Sequence, residues 1–432
     1  MKNKILLFLL LLAPITYAYA LQPVWELPSE WLSLYFSGDT AQDIAVDASE
    51  NSYIIGTDSN RAYIRKFNSN GLILWTTSYI SPSSENSKGY GITVDNAGYV
   101  YATGYEIRTD LGQSANIWVA KYDTNANLQW TTGYATTDDD AGCAITVDNA
   151  GSLYVTGYIS QLVANPWSTG TLWVGKYNTN GLLQWTTVYA GPNKDNGHGI
   201  AVDSSGDIYI TGVANDGNTM NSGDIITRKY TSTGLLAWTT IYANPMDNRG
   251  AIIGQDIAVS TSGHVYATGS MGTFRFDLNG LLQWATTYSG LGIAVDGAEN
   301  IYISNTSSIK KFDSNGFDQW TTTAPVSTVL LAGQDITVKN NGNVYVPGTY
   351  EDSFSKCAIK FKQAPITPTG FTGVVISSGI IEWSWNDNSN HESGYSVYSS
   401  ADELLVNLSA NTTHWLEETG LASNTQYHVC PN

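Results

Sequence analysis

The sequence predicts an all-β fold: a seven-bladed β-propeller of four-stranded antiparallel blades, its ring closed by the N-terminal strand, followed by a truncated β-sandwich. Three observations carry this. An alternating apolar run recurs around Ile44, Ile92, Ile145, Ile200, Ile257, Ile293 and Ile336, at steps of 36 to 57 residues. A tryptophan marks another strand seven times, at Trp31, Trp75, Trp130, Trp185, Trp238, Trp284 and Trp320. Charged residues make up 13% of the 432-residue chain and aromatic residues 12%. That composition is too aromatic for disorder and too poor in Lys, Glu, Arg and Leu for a helical bundle or coiled coil. Four short strands recurring about every 40–50 residues are the pattern of propeller blades.

One unit shows each element in order. Ala144–Asp148 is a first strand and Asn149–Gly151 a turn. Leu153–Gly157 is a second strand, and Leu172–Tyr177 a third. Asn178–Gly181 turns the chain again, and Gln184–Tyr189 is the fourth strand. Period-2 runs bounded by Asn, Gly and Ser make hairpin meanders. Trp31 precedes the first Ile, and no such Trp follows the last third strand at Lys360-Phe361. The offset places the strand around Trp31 on the outside of the seventh blade, latching the two ends of the domain and covering a free edge.

The stretch Gly199-Ile200-Ala201-Val202-Asp203-Ser204-Ser205-Gly206-Asp207-Ile208-Tyr209-Ile210-Thr211-Gly212 and its counterparts resemble the bacterial SBBP-type β-propeller repeat, and more loosely the NHL repeat. The resemblance spans nearly all of residues 31–361. It implies an extracellular or scaffold propeller, with ligands that differ from one family member to the next.

The seven copies separate structural residues from candidates for function. Tyr53, Tyr101, Tyr154, Tyr209, Tyr266, Tyr302 and Tyr345 share one position, and Lys66, Lys121, Lys176, Lys229, Arg275, Lys311 and Lys360 another. Asp47, Asp95, Asp148, Asp203 and Asp296 fill a turn position held by Ser260 and Lys339 in the other two blades. Such repetition assigns these residues to packing and turn capping, since one aromatic buries about 150–250 Å² and a turn Asp accepts backbone N–H groups.

Loop lengths orient the disc. The first turn spans 6 residues from the turn position to the Tyr in every copy, and the third-strand aromatic lies 8 before the Trp in six copies. The second-to-third connection, by contrast, runs from 7 residues (Gly269 to Phe276) to 20 (Gly157 to Tyr177). All variation falls on one face, and its long loops on blades 2, 3 and 4 predict a raised wall there, where binding is expected. Candidates are Tyr105, Glu106, Arg108 and Asp110 in blade 2, and Tyr158, Trp167 and Ser168 in blade 3. Blade 4 supplies Asn215, Asp216, Asn218 and Asn221, and the entering loops add Asp138, Asp139, Asp140, Lys194, Asp195 and His198. Tyr and Trp beside Asn and Asp suit sugar rings, which need an apolar face and short polar partners.

Chemistry is thin. His198, near the channel mouth with Asp195 nearby in sequence, is the one candidate general base, while His264 sits in a fixed-length turn expected to face solvent. No nucleophile elbow, phosphate loop or paired-His motif is present. Asp138–Asp140 and Asp123–Asn127 have the oxygen spacing of calcium loops but lack the closing Gly and Glu. Asp43, Asp256 and Asp335 each precede a first-strand Ile, where they cap a loop or converge on a cation. No cofactor is expected, with Ca²⁺ the one ion these acids would suit.

Residues 1–20 read as a secretory signal, with Lys2 and Lys4, an apolar run Ile5–Leu12 and the cleavage site Ala18-Tyr19-Ala20. The run is too short to span a bilayer. The propeller is assigned to 24–362, a linker with Pro365 and Pro368 to 363–368, and the sandwich to 369–432. In that last part Ile380–Trp385, Gly394–Tyr398 and Leu421–Tyr427 resemble a fibronectin type III domain, short of its final strand. Cys143, Cys357 and Cys430 are too few and too scattered for a disulfide framework or a metal cluster. The net charge of −18 argues against nucleic acid and anionic lipid.

These readings converge on a secreted or cell-surface binding or adhesion module that meets an extracellular protein or polysaccharide, a monomeric propeller within a longer multidomain chain. The alternatives are a carbohydrate-active enzyme or lyase built on His198, and a purely structural surface protein. Deleting residues 24–36 is expected to lower the melting temperature of the whole propeller; an unchanged thermal melt contradicts the latch.

Overall fold

The computed structural model describes residues 41–431 except 84–85, 161–169, 192–194, 215–222, 243–252, 324–328, 331–334, 340–341, 351–355, 362–368, 378–379, 387–393, 400–403, 410–411 and 418–426. Two compact units divide between Lys362 and Gln363. Apart from one 3-10 turn, Thr109–Leu111, the described elements are strands, and no described helix is long and apolar enough to cross a membrane.

The larger unit is a seven-bladed propeller. Blade 1 runs Ala41–Val46, Ser52–Asp58, Arg61–Phe67 and Ile73–Ser78, each strand antiparallel to the next. Five further four-stranded sheets repeat this order. In the seventh, Val329–Leu330 and Thr337–Val338 lie along one edge of Val344–Tyr350, and Lys356–Phe361 pairs with its other edge. The expected latch strand around Trp31 lies outside the described residues, and among these no strand pairing joins blade 7 to blade 1.

The repeated residues form one structural cassette per blade. Asp47 accepts hydrogen bonds from the backbone of Ser49 and Asn51 at 2.9 Å and from the Tyr53 hydroxyl at 2.9 Å. Asp95, Asp148, Asp203 and Asp296 hold Tyr101, Tyr154, Tyr209 and Tyr302 in the same way. The third-strand cation lies over that Tyr ring in all seven blades, at 4.9–5.9 Å from its centre. The indoles of Trp75, Trp130, Trp238 and Trp284 donate to the backbone carbonyls of Thr124, Thr179, Leu278 and Ser314 in the following blade. The Trp therefore stitches blade to blade, and the Tyr, 0–1% exposed, is a core residue.

Blades 5 and 7 lack the turn Asp, and each borrows a carboxylate from the next blade. Glu299 of blade 6 accepts from Ser262, and its carboxylate lies 3.2 Å from His264 Nδ1, both in the Ser260 turn. His264 is thus half-buried and paired rather than facing solvent. Glu50 of blade 1 accepts from the Tyr345 hydroxyl at 2.7 Å and from Lys360, while Lys339 donates to the Val46 carbonyl at 2.6 Å. Both glutamates stand at φ near +60° (59° and 62°), where five other blades place Gly98, Gly151, Gly206, Gly263 and Gly342 at +75° to +85°. An L-residue there carries a backbone penalty of about 1–2 kcal/mol, outweighed by the charge and hydroxyl it satisfies. Blade 7 also packs its Tyr345 and Ala358 into the blade 1 core around Ile44, Val46 and Phe67.

The second unit holds two three-stranded sheets. One orders Thr369–Ser377, Ile380–Asn386 and His414–Glu417, the other Leu404–Ser409, Gly394–Ser399 and Tyr427–Pro431. Trp385, Tyr395 and Val397 form their shared core, with the Trp385 and Tyr395 rings edge-on at 5.6 Å. The strands expected at 380–385 and 394–398 are present. The Leu-to-Tyr corner falls largely on 421–426, outside the described residues.

Glu50→Gly is expected to lower stability by about 2 kcal/mol, because an unpaired buried Lys360 and Tyr345 cost more than the relieved backbone strain returns. Adding Lys339→Asp restores the regular cassette and is expected to recover most of the loss; urea midpoints of the single and double variants test this.

Candidate functional site

The first strands line the propeller axis, and the site begins with an irregularity in them. In blades 1 to 5 the register to the second strand skips one residue: Gln42, Tyr90, Cys143, His198 and Gln255. Each is a β-bulge, which leaves one residue unpaired and re-aims its side chain. A glycine of the second strand faces it in all five blades: Gly56, Gly104, Gly157, Gly212 and Gly269. A Cβ on Gly104 or Gly157 would collide with the Lys88 or Ala141 carbonyl opposite the bulge. The five bulged residues line one cavity of about 270 Å³ at the mouth of the channel. All five are half-buried. Blade 6 places Leu291 at the corresponding point, and residue 334 of blade 7 is outside the described set.

Asp43, Asp256 and Asp335, one residue further along, meet deeper in the same cavity. Asp43 accepts from its own Ile44 N–H at 2.6 Å and from Ile92 of blade 2 at 2.7 Å. Asp256 repeats this on Ile257 and on Ile293 of blade 6, at 2.7 and 2.8 Å. Asp335 accepts from Ile336 at 2.6 Å and hydrogen-bonds with Asp43 and Asp256. Burial raises all three above the ordinary carboxylate range, Asp256 to about 7 and Asp335 well above, the latter pushed further by Asp43. Two carboxyls share a hydrogen bond only if one keeps its proton, which assigns the proton to Asp335. Of the two readings weighed from sequence, Asp43 and Asp256 show the capping one. Among the described residues no group of three or more His, Cys, Asp or Glu is arranged to hold a metal ion.

The wall residues divide. Tyr105 and Tyr158 stand beside Tyr90: the Tyr90 and Tyr105 rings are 5.9 Å apart, and burial lifts the Tyr158 hydroxyl to about 12. Arg108 forks onto Asp110 with two bonds of 2.8 Å, in an exposed turn, and lies 3.6 Å from Glu106. Glu106 itself is buried and accepts from the Tyr79 hydroxyl at 2.9 Å. Asp140 and Asp195 are fully buried. Asp140 accepts from the Thr136 and Ser160 backbones, and Asp195 from that of Gly191. Asp139 is exposed and accepts from Ser114, and Asp138 is half-buried. Asp123 makes an ordinary turn on Asn125 and Asn127. Trp167, Ser168, Lys194, Asn215, Asp216, Asn218 and Asn221 lie outside the described residues. Cys143 is a free thiol whose burial raises it to about 12, which favours the protonated form.

Sequence reading missed the bulge ring. The signal was present as the recurring glycine three residues before the Ile (Gly89, Gly142, Gly197, Gly254) facing a Thr-Gly pair, since an isolated strand glycine marks a bulge or a close approach.

Residues 184–218 match the SBBP β-propeller repeat. No curated protein sequence matches the chain significantly. Among solved structures, the WD40 domain of Neurospora crassa Pan2 superposes with a TM-score of 0.50 at 12% identity, over 76% of this chain and 90% of that one. The extracellular domain of a putative hybrid two-component system from B. thetaiotaomicron gives 0.49 at 14% identity; 94% of this chain is matched, spanning 55% of that one. A gluconolactonase from Xanthomonas campestris gives 0.39 at 14%, over 66% and 92%. At these identities the likeness concerns the propeller scaffold alone.

The axial acids make stability depend on pH. Their folded-state pKa values lie above the unfolded value near 4, so their stabilising contribution is complete below about pH 4 and is lost as pH rises, through about 7 for Asp256 and higher for Asp335. Asp335→Asn keeps an acceptor for Ile336 and a donor for Asp43 without a titrating proton. Its melting temperature is expected to equal the wild type's near pH 4 and to exceed it increasingly up to pH 8; parallel curves contradict the shared proton.

Proposed function

We propose that this chain is a secreted or cell-surface binding module that takes an extracellular ligand at the channel mouth on the variable face of its propeller. One observation carries the reading. The inner strands repeat their Ile, and the residue before it is Gly, Ala or Asp, but the bulged residues of blades 1 to 5 are Gln, Tyr, Cys, His and Gln, all lining one cavity. A position that the scaffold requires is filled alike in every blade, as the Tyr, Lys and Trp positions are. A position open to space and filled differently in each blade is free to serve recognition, and a concave site with a few convergent polar groups is the ordinary form of a ligand pocket.

The leader at residues 1–20 supports export, and the acidic charge disfavours nucleic acid. The second unit reads as a partial fibronectin type III spacer that holds the propeller away from its attachment. The enzymatic alternative gains nothing from Asp195, which is buried on Gly191 in the loop.

The full chain, offered a panel of immobilised extracellular polysaccharides and surface proteins, is expected to retain at least one. The double variant Tyr90→Ala/His198→Ala is expected to abolish retention at unchanged melting temperature. Retention that survives it, or that falls instead when the opposite face is altered at Asn125 and Asn180, overturns the assignment.

A further inference from the structure

We infer that the channel mouth receives one uncharged, hydroxyl-rich ring, the terminal neutral sugar of a polysaccharide; this rests on the binding reading above and names its ligand class. The argument is by size, charge and shape. A cavity of about 270 Å³ lies just under the usual range for small-molecule sites, about 300–1,000 Å³. It has room for one pyranose rather than for an oligomer, so a chain end is the part that enters.

Charge then narrows the choice. No Lys or Arg lines the cavity, so an anionic sugar or a phosphate would enter without a counter-charge. The acids do not make it a cation well. Both oxygens of Asp43 and of Asp256 accept backbone N–H groups, and Asp335 bonds to Ile336 and Asp43. A metal ion or an ammonium group would have to compete for those carboxyls with backbone N–H groups of blades 1, 2, 5, 6 and 7. The axial acids act as the floor of the site, neutralised by protons and backbone dipoles.

The rim supplies what a neutral sugar needs. Gln42 and Gln255 bring amides able both to donate and to accept, and His198 adds a ring that does the same. Tyr90 adds an aromatic ring to the same lining, backed by Tyr105 with the two ring centres 5.9 Å apart. The lining therefore combines one aromatic ring with amide and imidazole edges. A pyranose has the same division between its C–H face and its hydroxyl edge.

The test uses the full chain and isothermal titration, with tyrosine fluorescence as a second readout. The probes are neutral glucose-, galactose- and mannose-ended oligosaccharides, a glucuronate-ended one, methylammonium chloride and calcium chloride, each up to about 10 mM. One neutral-ended oligosaccharide is expected to bind one-to-one, with affinity nearly unchanged between low and high salt. Tyr90→Ala and Gln255→Ala are each expected to weaken it about tenfold, the equivalent of one lost contact of 1.4 kcal/mol, at unchanged melting temperature. Free monosaccharide matching the oligosaccharide would confirm that only the end residue is read. Binding of methylammonium, calcium or the glucuronate-ended probe alone, lost in Tyr90→Ala, would overturn the sugar while leaving the mouth as the binding site. Neutral-sugar binding untouched by both variants would overturn the site itself, and no binding by any probe would overturn the inference, with protein capture remaining open to the broader reading.

Discussion

Seven sheets set side by side around one axis bring their inner strands almost into backbone contact, and the rest of the propeller answers to that crowding. A Cβ on Gly91, Gly199 or Gly292 would come within 3.0, 2.7 or 2.5 Å of the backbone of the next blade. The position is accordingly Gly in blades 2, 4 and 6 and no larger than Ala in blade 3, at Ala144. In blades 1, 5 and 7 it is Asp, and in blades 1 and 5 the carboxylate caps N–H groups on its own strand and on the next. Backbone polar groups at the axis would otherwise go unpaired where strands stand too close for water and too far for ladder bonds. Concentrating three acids on one axis has its own cost, which the protein meets by keeping protons on them.

The bulge follows from the same crowding. A regular strand running to the end of the channel would point every second side chain at its six counterparts. Skipping one residue shortens the paired segment and turns that residue toward the mouth, where the channel widens. The scaffold thus places five half-buried side chains outside the strand pairing, and all five line one cavity.

Much of this was legible in the chain. The Ile, Tyr, Lys and Trp positions repeat, and they occupy equivalent places in every described blade because burial fixes side-chain type. The bulge was not legible from periodicity. A bulge is a difference in register between two strands, and neither strand shows it alone; only the pairing of Gly142 with Gly157 around Cys143 does. Loop acids misled for a related reason. Asp140, Asp195 and Glu106 look like solvated wall residues in a polar loop, yet each is buried on specific donors, since a loop packed against a neighbouring blade must satisfy its own N–H groups. Glu50 and Glu299 were overlooked because their role is visible only across a blade boundary, in the missing acid of the blade before.

Departures from the repeat are therefore of two physical kinds. Glu50 and Glu299 depart from glycine, accept a strained backbone, and find their partners inside the protein on the blade that lacks an Asp. Their variation is compensatory: the second change restores what the first removed, and the cassette is conserved as a set of contacts though not as a set of residues. At the bulge the residue type changes from blade to blade while the register stays the same. Gln, Tyr, Cys and His there all occur with the same Ile, the same facing glycine and the same register skip. Variation that the fold neither requires nor repairs is variation that something outside the fold can select. That distinction, drawn from contacts alone, separates the recognition surface of this propeller from its frame.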